Sequence, residues 1–260
     1  MILYFSGTGN TRYVAKSIAN LTDDQSYFIP DHKAAELKMT GDRLVVCFPV
    51  YSWGVPPIVI DYIRQLSDEF IATLRSRDIP VVMVCTYGDD AARTEEMLSK
   101  VFAQRGVKVR GAWGITMPNV YVLLPGCDVD DPEVAQKKLD HSSTRIREIV
   151  MKITKGEWES DLVIGSMPGL KSRVVYPLYK KWGINPRRWL TSQECVGCGK
   201  CVEACPMQNI VMHSGRPKWG KNCVSCTSCY HHCPTDAISY GSITKGKGHY
   251  FCHLPPLKNK

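Results

Sequence analysis

A repeated cysteine motif near the carboxyl end constrains this chain more than any other feature. Residues 195–206 read CVGCGKCVEACP, and the spacing C-x2-C-x2-C-x3-C-P returns at residues 223–234. Eight of the 12 cysteines therefore belong to one repeated pattern. A short loop with three thiols at two-residue gaps can present them together to one cubic iron–sulfur cluster. A disulfide framework and a zinc site are the alternatives, but zinc ribbons use two C-x2-C pairs instead.

The surroundings of the motif favour redox chemistry inside the cell. The chain begins MILYFSGTGN, without a basic stretch before an apolar one, so we expect no cleavable signal. The longest uncharged run, 44–60, is short for a membrane span and contains three prolines. We therefore expect a cytoplasmic protein without a membrane span, where clustered cysteines more often bind metal than form disulfides.

Charge divides the chain into two unequal parts. Residues 1–165 carry 19 Lys and Arg against 22 Asp and Glu, whereas residues 166–260 carry 14 against 3. A basic part can indicate nucleic-acid binding. Eight cluster-bound thiolates would offset some of that charge, however, because the charge of metal and ligands must be counted. We therefore predict no nucleic acid, and interpret residues 166–190 as a basic, irregular linker or a handle for an acidic protein partner.

Apolar runs alternate with helical patterns over the first 160 residues. Strands are predicted at 2–6, 27–30, 44–50, 79–86 and 107–117, and helices at 11–21, 55–66, 91–105 and 132–154. This order predicts an α/β fold of βαβ units with a doubly wound parallel sheet. Each cysteine repeat is followed by a short apolar strand, at 209–212 or 237–240, so residues 191–260 form a second, small α+β domain.

The loop after the first strand, FSGTGNTR at residues 5–12, predicts a phosphate site. Its candidate residues are Ser6, Gly7, Thr8, Gly9, Asn10 and Thr11. A dinucleotide fingerprint is the alternative, because Gly7 and Gly9 fit its first two glycines, but Arg12 stands where the third should be. Hydroxyl donors around a helix N-terminus suit a terminal phosphate dianion better than a bridging pyrophosphate.

Two further loops follow the third and fourth strands. Their candidate binding residues are Pro49, Val50, Tyr51, Ser52, Trp53, Gly54, Thr86, Tyr87, Gly88 and Asp89. Loops at the carboxyl ends of neighbouring parallel strands converge on one ligand site. A solvent-exposed loop aromatic is the alternative interpretation of Trp53.

Together the three loops resemble those of flavodoxins, and residues 191–240 resemble bacterial two-cluster ferredoxins. The flavodoxin likeness implies a five-stranded sheet in the order 2-1-3-4-5 and an FMN site. It places Trp53 over one face of the flavin ring. It also implies that the Gly54 carbonyl accepts a hydrogen bond from N5 of the reduced flavin. Val55 stands where flavodoxins commonly have an acid.

The ferredoxin likeness implies crossed ligation, in which the fourth cysteine of each motif binds the other cluster. Cluster 1 would take Cys195, Cys198, Cys201 and Cys233, and cluster 2 would take Cys205, Cys223, Cys226 and Cys229. The remaining cysteines are Cys47, Cys85, Cys127 and Cys252. We expect the first two to be core residues and assign no role to the others. His231 and His232 are either cluster-tuning donors or a surface pair.

The whole arrangement resembles the flavodoxin–ferredoxin fusion proteins of anaerobes, the EFR1-type ferredoxin family. That likeness implies an FMN domain at 1–165, a linker at 166–190 and a domain with two [4Fe-4S] clusters at 191–260. Electron transfer between clusters and FMN is the expected function. An FMN-dependent reductase of a small molecule and a docking subunit of a larger redox complex are the alternatives. The sequence leaves open whether the chain forms a homodimer and which redox proteins it meets.

Overall fold

Six parallel strands form the central sheet in the computed structural model, which describes residues 1–259. The strands are β1 (Ile2–Tyr4), β2 (Ser26–Phe28), β3 (Leu44–Pro49), β4 (Val81–Tyr87), β5 (Val109–Thr116) and β6 (Ser160–Asp161). Their order, β2-β1-β3-β4-β5-β6, confirms the predicted arrangement of the first five. The two-residue β6 pairs with Ala112 and Trp113 at the edge, and two residues are too few to show periodicity.

Helices cover both faces of the sheet, as expected for a doubly wound fold. They are α1 (Asn10–Thr22), α2 (Pro57–Gln65), α3 (Asp68–Ser76), α4 (Thr94–Ala103) and α5 (Pro132–Lys155). One apolar core lies beneath α2, α3 and α4, and the other beneath α1 and α5. The sequence interpretation missed α3, although its start carries a cap: the Ser67 hydroxyl accepts a hydrogen bond from the Phe70 N–H at 3.1 Å.

The segment predicted to be an irregular linker is largely helical, so that prediction was wrong for residues 168–183. It alternates α-helical and π-helical turns, namely α6 (Pro168–Leu170), Lys171–Val175, α7 (Tyr176–Leu178) and Tyr179–Gly183. Pro177 offers no N–H to the ladder, which accounts for a departure from regular α-helix here. We call residues 168–183 the clamp helix. Its inner face buries Ser172, Tyr176 and Tyr179 against the flavodoxin-like part.

The carboxyl-terminal part repeats its backbone as well as its cysteines. Its elements are β7 (Trp189–Thr191), α8 (Lys200–Glu203), β8 (Ile210–His213), β9 (Arg216–Trp219), α9 (Ser228–His231) and β10 (Ile238–Tyr240). The left-handed residues Gly197 and Gly199 recur as Ser225 and Thr227. Non-glycine residues adopt this conformation at a cost, and such strain clusters at functional sites.

Residues from both parts share their cores. Val122 and Leu123, from the loop after β5, are buried among side chains of the cysteine-rich part. In return, the final segment of the chain crosses back to α1, where the Cys252 N–H donates to the Thr8 carbonyl at 2.8 Å. Cys47 and Cys85 are fully buried in the sheet, as predicted. Among residues 1–259 no helix has both the length and the apolar character to cross a bilayer.

Candidate flavin and iron–sulfur sites

A cleft lies at the carboxyl ends of β1, β3 and β4, where the sequence placed the ligand site. It encloses about 1020 Å³ of non-atom space, including its open mouth. Predicted residues that line it are Ser6, Gly7, Thr8, Asn10, Thr11, Pro49, Val50, Tyr51, Ser52, Trp53, Thr86, Tyr87, Gly88 and Asp89. Gly9 and Gly54 do not: Gly9 packs against the Cys252 backbone, and Gly54 against the Tyr176 ring.

The loop between β1 and α1 has the features of an anion site. Its polar side chains are buried, and Thr11 Oγ1 lies 2.8 Å from Thr86 Oγ1. The Gly9 N–H donates to Ser6 Oγ at 3.2 Å, which holds the loop closed on itself. The first N–H groups of α1 have no partners within the helix, so they are free to bind an anion.

The side-chain amide of Asn10 makes hydrogen bonds to the protein through both its nitrogen and its oxygen. Its Nδ2 donates to the Pro118 carbonyl at 2.9 Å, and its Oδ1 accepts from the Tyr250 hydroxyl at 3.1 Å. The residue therefore joins the phosphate loop, the loop after β5 and the end of the chain. These contacts use only one of the two Nδ2 hydrogens, so a direct bond from this side chain to phosphate, as the sequence suggested, does not require either contact to break.

A strained two-residue turn forms the second wall of the cleft. Ser52 and Trp53 both have positive φ angles, 46° and 62°. The turn closes through two backbone bonds, from the Tyr51 N–H to the Gly54 carbonyl at 3.0 Å and from the Gly54 N–H to the Tyr51 carbonyl at 3.1 Å. The flavodoxin likeness implied that the Gly54 carbonyl faces the flavin, but Gly54 is not among the residues that line the cleft.

The clamp helix holds this turn in place. Ser172 Oγ donates to the Trp53 carbonyl at 2.9 Å, and the Tyr176 hydroxyl donates to the Val55 carbonyl. Lys171 lies over the Trp53 ring, 5.1 Å from its centroid, and pairs with Asp90 at 2.5 Å. The segment first interpreted as a linker therefore fixes two of the three predicted flavin loops.

A third wall of the cleft escaped the sequence interpretation. Its residues are Asp90, Met117, Pro118, Asn119, Val120, Tyr121, Leu124, Cys127, Ser225, Cys226 and Thr227. Those at 117–127 follow β5, so the rule that ligands bind beyond strand ends could have found them. Ser225, Cys226 and Thr227 come from the cysteine-rich part, and no pattern in the sequence indicates that they approach the first domain.

The eight motif cysteines surround two separate small cavities. One is lined by Cys195, Cys198, Cys201 and Cys233, and the other by Cys205, Cys223, Cys226 and Cys229. These are the two crossed sets that the ferredoxin likeness implied. The cavities hold about 320 and 300 Å³ of non-atom space, and their other walls are mainly apolar.

Each set fits a multinuclear cluster better than a single ion. Among residues 1–259, no three His, Cys, Asp or Glu side chains converge on a point where one ion would bind. Thiols placed around a cavity instead suit a cubic cluster, where each thiolate binds its own iron. Backbone donors already face the sulfurs: the Asn209 N–H lies 3.4 Å from Cys205 Sγ, and the Ala237 N–H 3.3 Å from Cys233 Sγ. Such bonds stabilise bound thiolates.

Cys226 belongs to both the second cysteine cavity and the flavin cleft. Its backbone lies directly against the phosphate loop, because a Cβ built at Gly7 would be 2.7 Å from the Cys226 carbonyl oxygen. Only glycine allows so close an approach without a shift of the backbone. Burial raises the pKa of the Cys226 thiol to about 12, so the thiolate forms when metal compensates its charge.

His231 is an interior residue, so the surface-pair interpretation was wrong for it. Its Nε2 lies 2.9 Å from the Val120 carbonyl, and its Nδ1 accepts from the Tyr250 N–H at 3.2 Å. These bonds require a neutral ring protonated at Nε2, and burial lowers its pKa to about 4. The side chain fastens the third wall of the cleft to α9. His232 is half-buried and stacks on Phe251, with ring centroids 4.3 Å apart.

Comparisons with known proteins agree with this geometry. A family model described as the flavodoxin domain matches residues 1–161. The chain belongs to the flavodoxin domain family. After that domain, a second family model, described as a 4Fe-4S dicluster domain, matches residues 194–238. The two matches support a flavin site and iron–sulfur ligation in a single chain, and hence a flavin and iron–sulfur electron-transfer protein.

Two solved structures are similar to parts of this flavodoxin. Rubredoxin oxygen:oxidoreductase from the anaerobe Desulfovibrio gigas is 14% identical, with a TM-score of 0.36, over 58% of this chain. This chain spans 36% of that protein. A protein described as a flavoprotein from Bacteroides uniformis ATCC 8492 is 17% identical, with a TM-score of 0.33, over 45% of this chain and 88% of its own. No curated protein matches the chain.

Replacing Thr11 with valine is expected to weaken FMN binding about tenfold. The change removes a hydroxyl from the phosphate loop and leaves that of Thr86 without its partner at 2.8 Å. A hydrogen bond to a charged group contributes about 1.5–3 kcal/mol, and 1.4 kcal/mol is tenfold in affinity. Fluorescence titration of FMN measures the effect. Thr22→Val, at the far end of α1, is the control, and equal affinity of the two variants would contradict the assignment of Thr11.

Replacing Cys233 with alanine is expected to remove the cluster of the first motif and spare that of its own motif. Cys233 lines the cavity of Cys195, Cys198 and Cys201, so its loss leaves that set with three thiols. Iron should fall from about eight to about four atoms per chain if the cluster is lost. If the three remaining thiols retain iron, a three-iron cluster should form at that position. Paramagnetic resonance that showed damage to the Cys223 cluster instead would contradict the crossed sets.

Proposed function

We propose that this flavodoxin transfers electrons between two [4Fe-4S] clusters and FMN within one chain, as in the EFR1-type fusion proteins it resembles. The single observation that carries the proposal is the position of the 225–227 loop, which lines both the second cysteine cavity and the flavin cleft. No other protein is needed to bring the two cofactors together. When bound, the clusters supply one-electron steps and FMN accepts one or two electrons.

The residues around the cleft have distinct tasks in this proposal. The loop at 6–11 and the N-terminus of α1 hold the phosphate, with Thr11 and Thr86 as buried hydroxyl partners. Tyr51, Trp53 and Tyr121 supply the aromatic walls that receive the flavin ring. The clamp helix keeps Trp53 in place through Ser172 and Lys171. FMN, the two-cluster count and the division at residues 165 and 190 are parts of the same proposal.

The cysteine cavities indicate an order for the centres. Cys198 is exposed at the surface, and the cavity to which it belongs shares no residue with the flavin cleft. The second cavity adjoins the cleft through Cys226 and Thr227. Cluster 1 is therefore the exchange point with an external one-electron carrier, and cluster 2 connects it to FMN.

An anaerobic titration tests the proposed function. Protein purified without oxygen should contain about eight iron atoms and one FMN per chain, from the two-cluster count. A reductive titration followed by visible absorption and paramagnetic resonance should then show three centres that exchange electrons. Protein that retains zinc in place of iron, or that binds flavin at a site unaffected by Thr11→Val, would overturn the proposal.

The clamp helix is the proposed docking surface for an acidic redox partner. Its outer face exposes Val174, Leu178 and Trp182 beside Lys180 and Lys181. Residues 166–193 contain six Lys and Arg and no acid. Electron transfer between FMN and an acidic redox partner docked here should therefore slow steeply as salt rises from about 0.01 to 0.5 M, because the Debye length shortens. The variant Lys180→Glu with Lys181→Glu should lose that dependence, and a wild-type rate that ignores salt would contradict this surface.

A further inference from the structure

Two buried indole N–H groups beside the second cysteine cavity have no hydrogen-bond partner among the described residues. They belong to Trp189 and Trp219, which stack with ring centroids 6.1 Å apart and an interplanar angle of 19°. Trp189 is only 5% exposed. A buried donor without an acceptor costs about 1–3 kcal/mol, so native proteins seldom retain one without a function.

The cysteine sulfurs of that cavity can accept hydrogen bonds from these two N–H groups. Both rings line the cavity of Cys205, Cys223, Cys226 and Cys229. The indole nitrogen can only donate a hydrogen bond, and a cysteine thiolate can accept it. One backbone donor already faces a sulfur of this cavity, because the Ser225 N–H donates to Cys223 Sγ at 3.4 Å.

The first cysteine cavity offers a contrast within the same chain. Pro217 and Met212 stand in its wall, and no tryptophan lines it. The buried side-chain donors without partners in the described residues include no residue of that wall. The two repeats therefore share cysteine spacing and backbone but differ in the donors that face their sulfurs.

We propose that Trp189 and Trp219 donate N–H···S hydrogen bonds to cysteine thiolates of the second cavity and thereby raise the reduction potential of cluster 2. The inference rests on the proposed function, because it needs a cluster in this cavity. Reduction adds one electron to the cluster, and its charge spreads onto the sulfurs. Donors aimed at those sulfurs therefore stabilise the reduced form more than the oxidised form. The two residues tune a centre; they do not ligate iron.

Two phenylalanine variants test this role. Trp189→Phe and Trp219→Phe each keep an aromatic ring in the wall and remove the N–H. Each should lower the equilibrium constant for reduction of cluster 2 about tenfold, which is 59 mV for one electron. Cluster 1 should not change. The control is Trp158→Phe, since that half-buried ring packs on the core beneath α1 and α5, outside the cavity.

Iron analysis and a redox titration by paramagnetic resonance separate the outcomes. A selective fall in the potential of cluster 2, at full iron content, supports the inference. An unchanged potential in loaded variants overturns it while leaving the proposed function intact. Loss of cluster 2 iron in both variants also overturns it, because the rings would then serve packing alone. Wild-type protein that binds no iron would overturn the proposed function and this inference together.

Discussion

Replacing Cys226 with alanine is expected to stop electrons from reaching the flavin while cluster 1 stays intact. Cys226 is one of four thiols around the second cavity, and its loop also forms a wall of the flavin cleft. Its loss should remove cluster 2 and reduce iron from about eight to about four atoms per chain. The paramagnetic signal of cluster 1 should persist, because none of its thiols is changed.

Cys127→Ala is the matched control for this experiment. Cys127 also lines the cleft, but it belongs to neither crossed set. The control should therefore keep all of its iron and transfer electrons to FMN at the wild-type rate. Normal flavin reduction through cluster 1 in the Cys226 variant would show that cluster 2 does not lie on the path.

The second large effect is expected from a single methyl group at Gly7. An added Cβ would lie 2.7 Å from the carbonyl oxygen of Cys226 and 2.8 Å from its Cβ. Contacts this short force the phosphate loop and the cluster loop apart. Gly7→Ala should lower the free energy of unfolding by about 1–3 kcal/mol, as overpacking does. It should also slow electron transfer between cluster 2 and FMN, because the separation of the two loops increases.

Gly169→Ala separates this contact from a general effect of alanine. A Cβ at Gly169 meets nothing within 4 Å, so the control variant should match or slightly exceed wild-type stability. Anaerobic denaturation of both holoproteins, followed by flavin and cluster absorbance, measures the difference. Equal stabilities and equal transfer rates would mean that the loops at Gly7 and Cys226 do not meet in solution.

Much of the fold was predictable because its signals are local and periodic. The continuous apolar run of β3 is typical of a buried parallel strand, the pattern of α5 has the helical period, and both elements lie where they were predicted. The clamp helix was missed because Pro168, Pro177 and Gly183 resemble loop punctuation. The burial of Tyr176 and Tyr179 stabilises a helix here in spite of the prolines. Two stretches of that helix are π-helical.

The candidate site was predictable only as separate pieces. The phosphate loop and the cysteine motifs each follow a spacing that chemistry requires, and these residues do come together. The contact between Gly7 and Cys226 joins positions more than 200 residues apart, and nothing in either local pattern encodes it. The same is true of Cys252, which packs against the phosphate loop from the end of the chain.

Single-electron injection into the loaded protein tests the central claim most directly. A photochemical pulse would place less than one electron per chain, and absorbance would then follow the clusters and the flavin in time. If cluster 2 serves FMN in the same chain, the electron should move between them at a rate independent of protein concentration. Cys226→Ala should abolish that phase, and Cys127→Ala should keep it. A rate that rises in proportion to protein concentration would contradict the account, because the electron would then pass between chains.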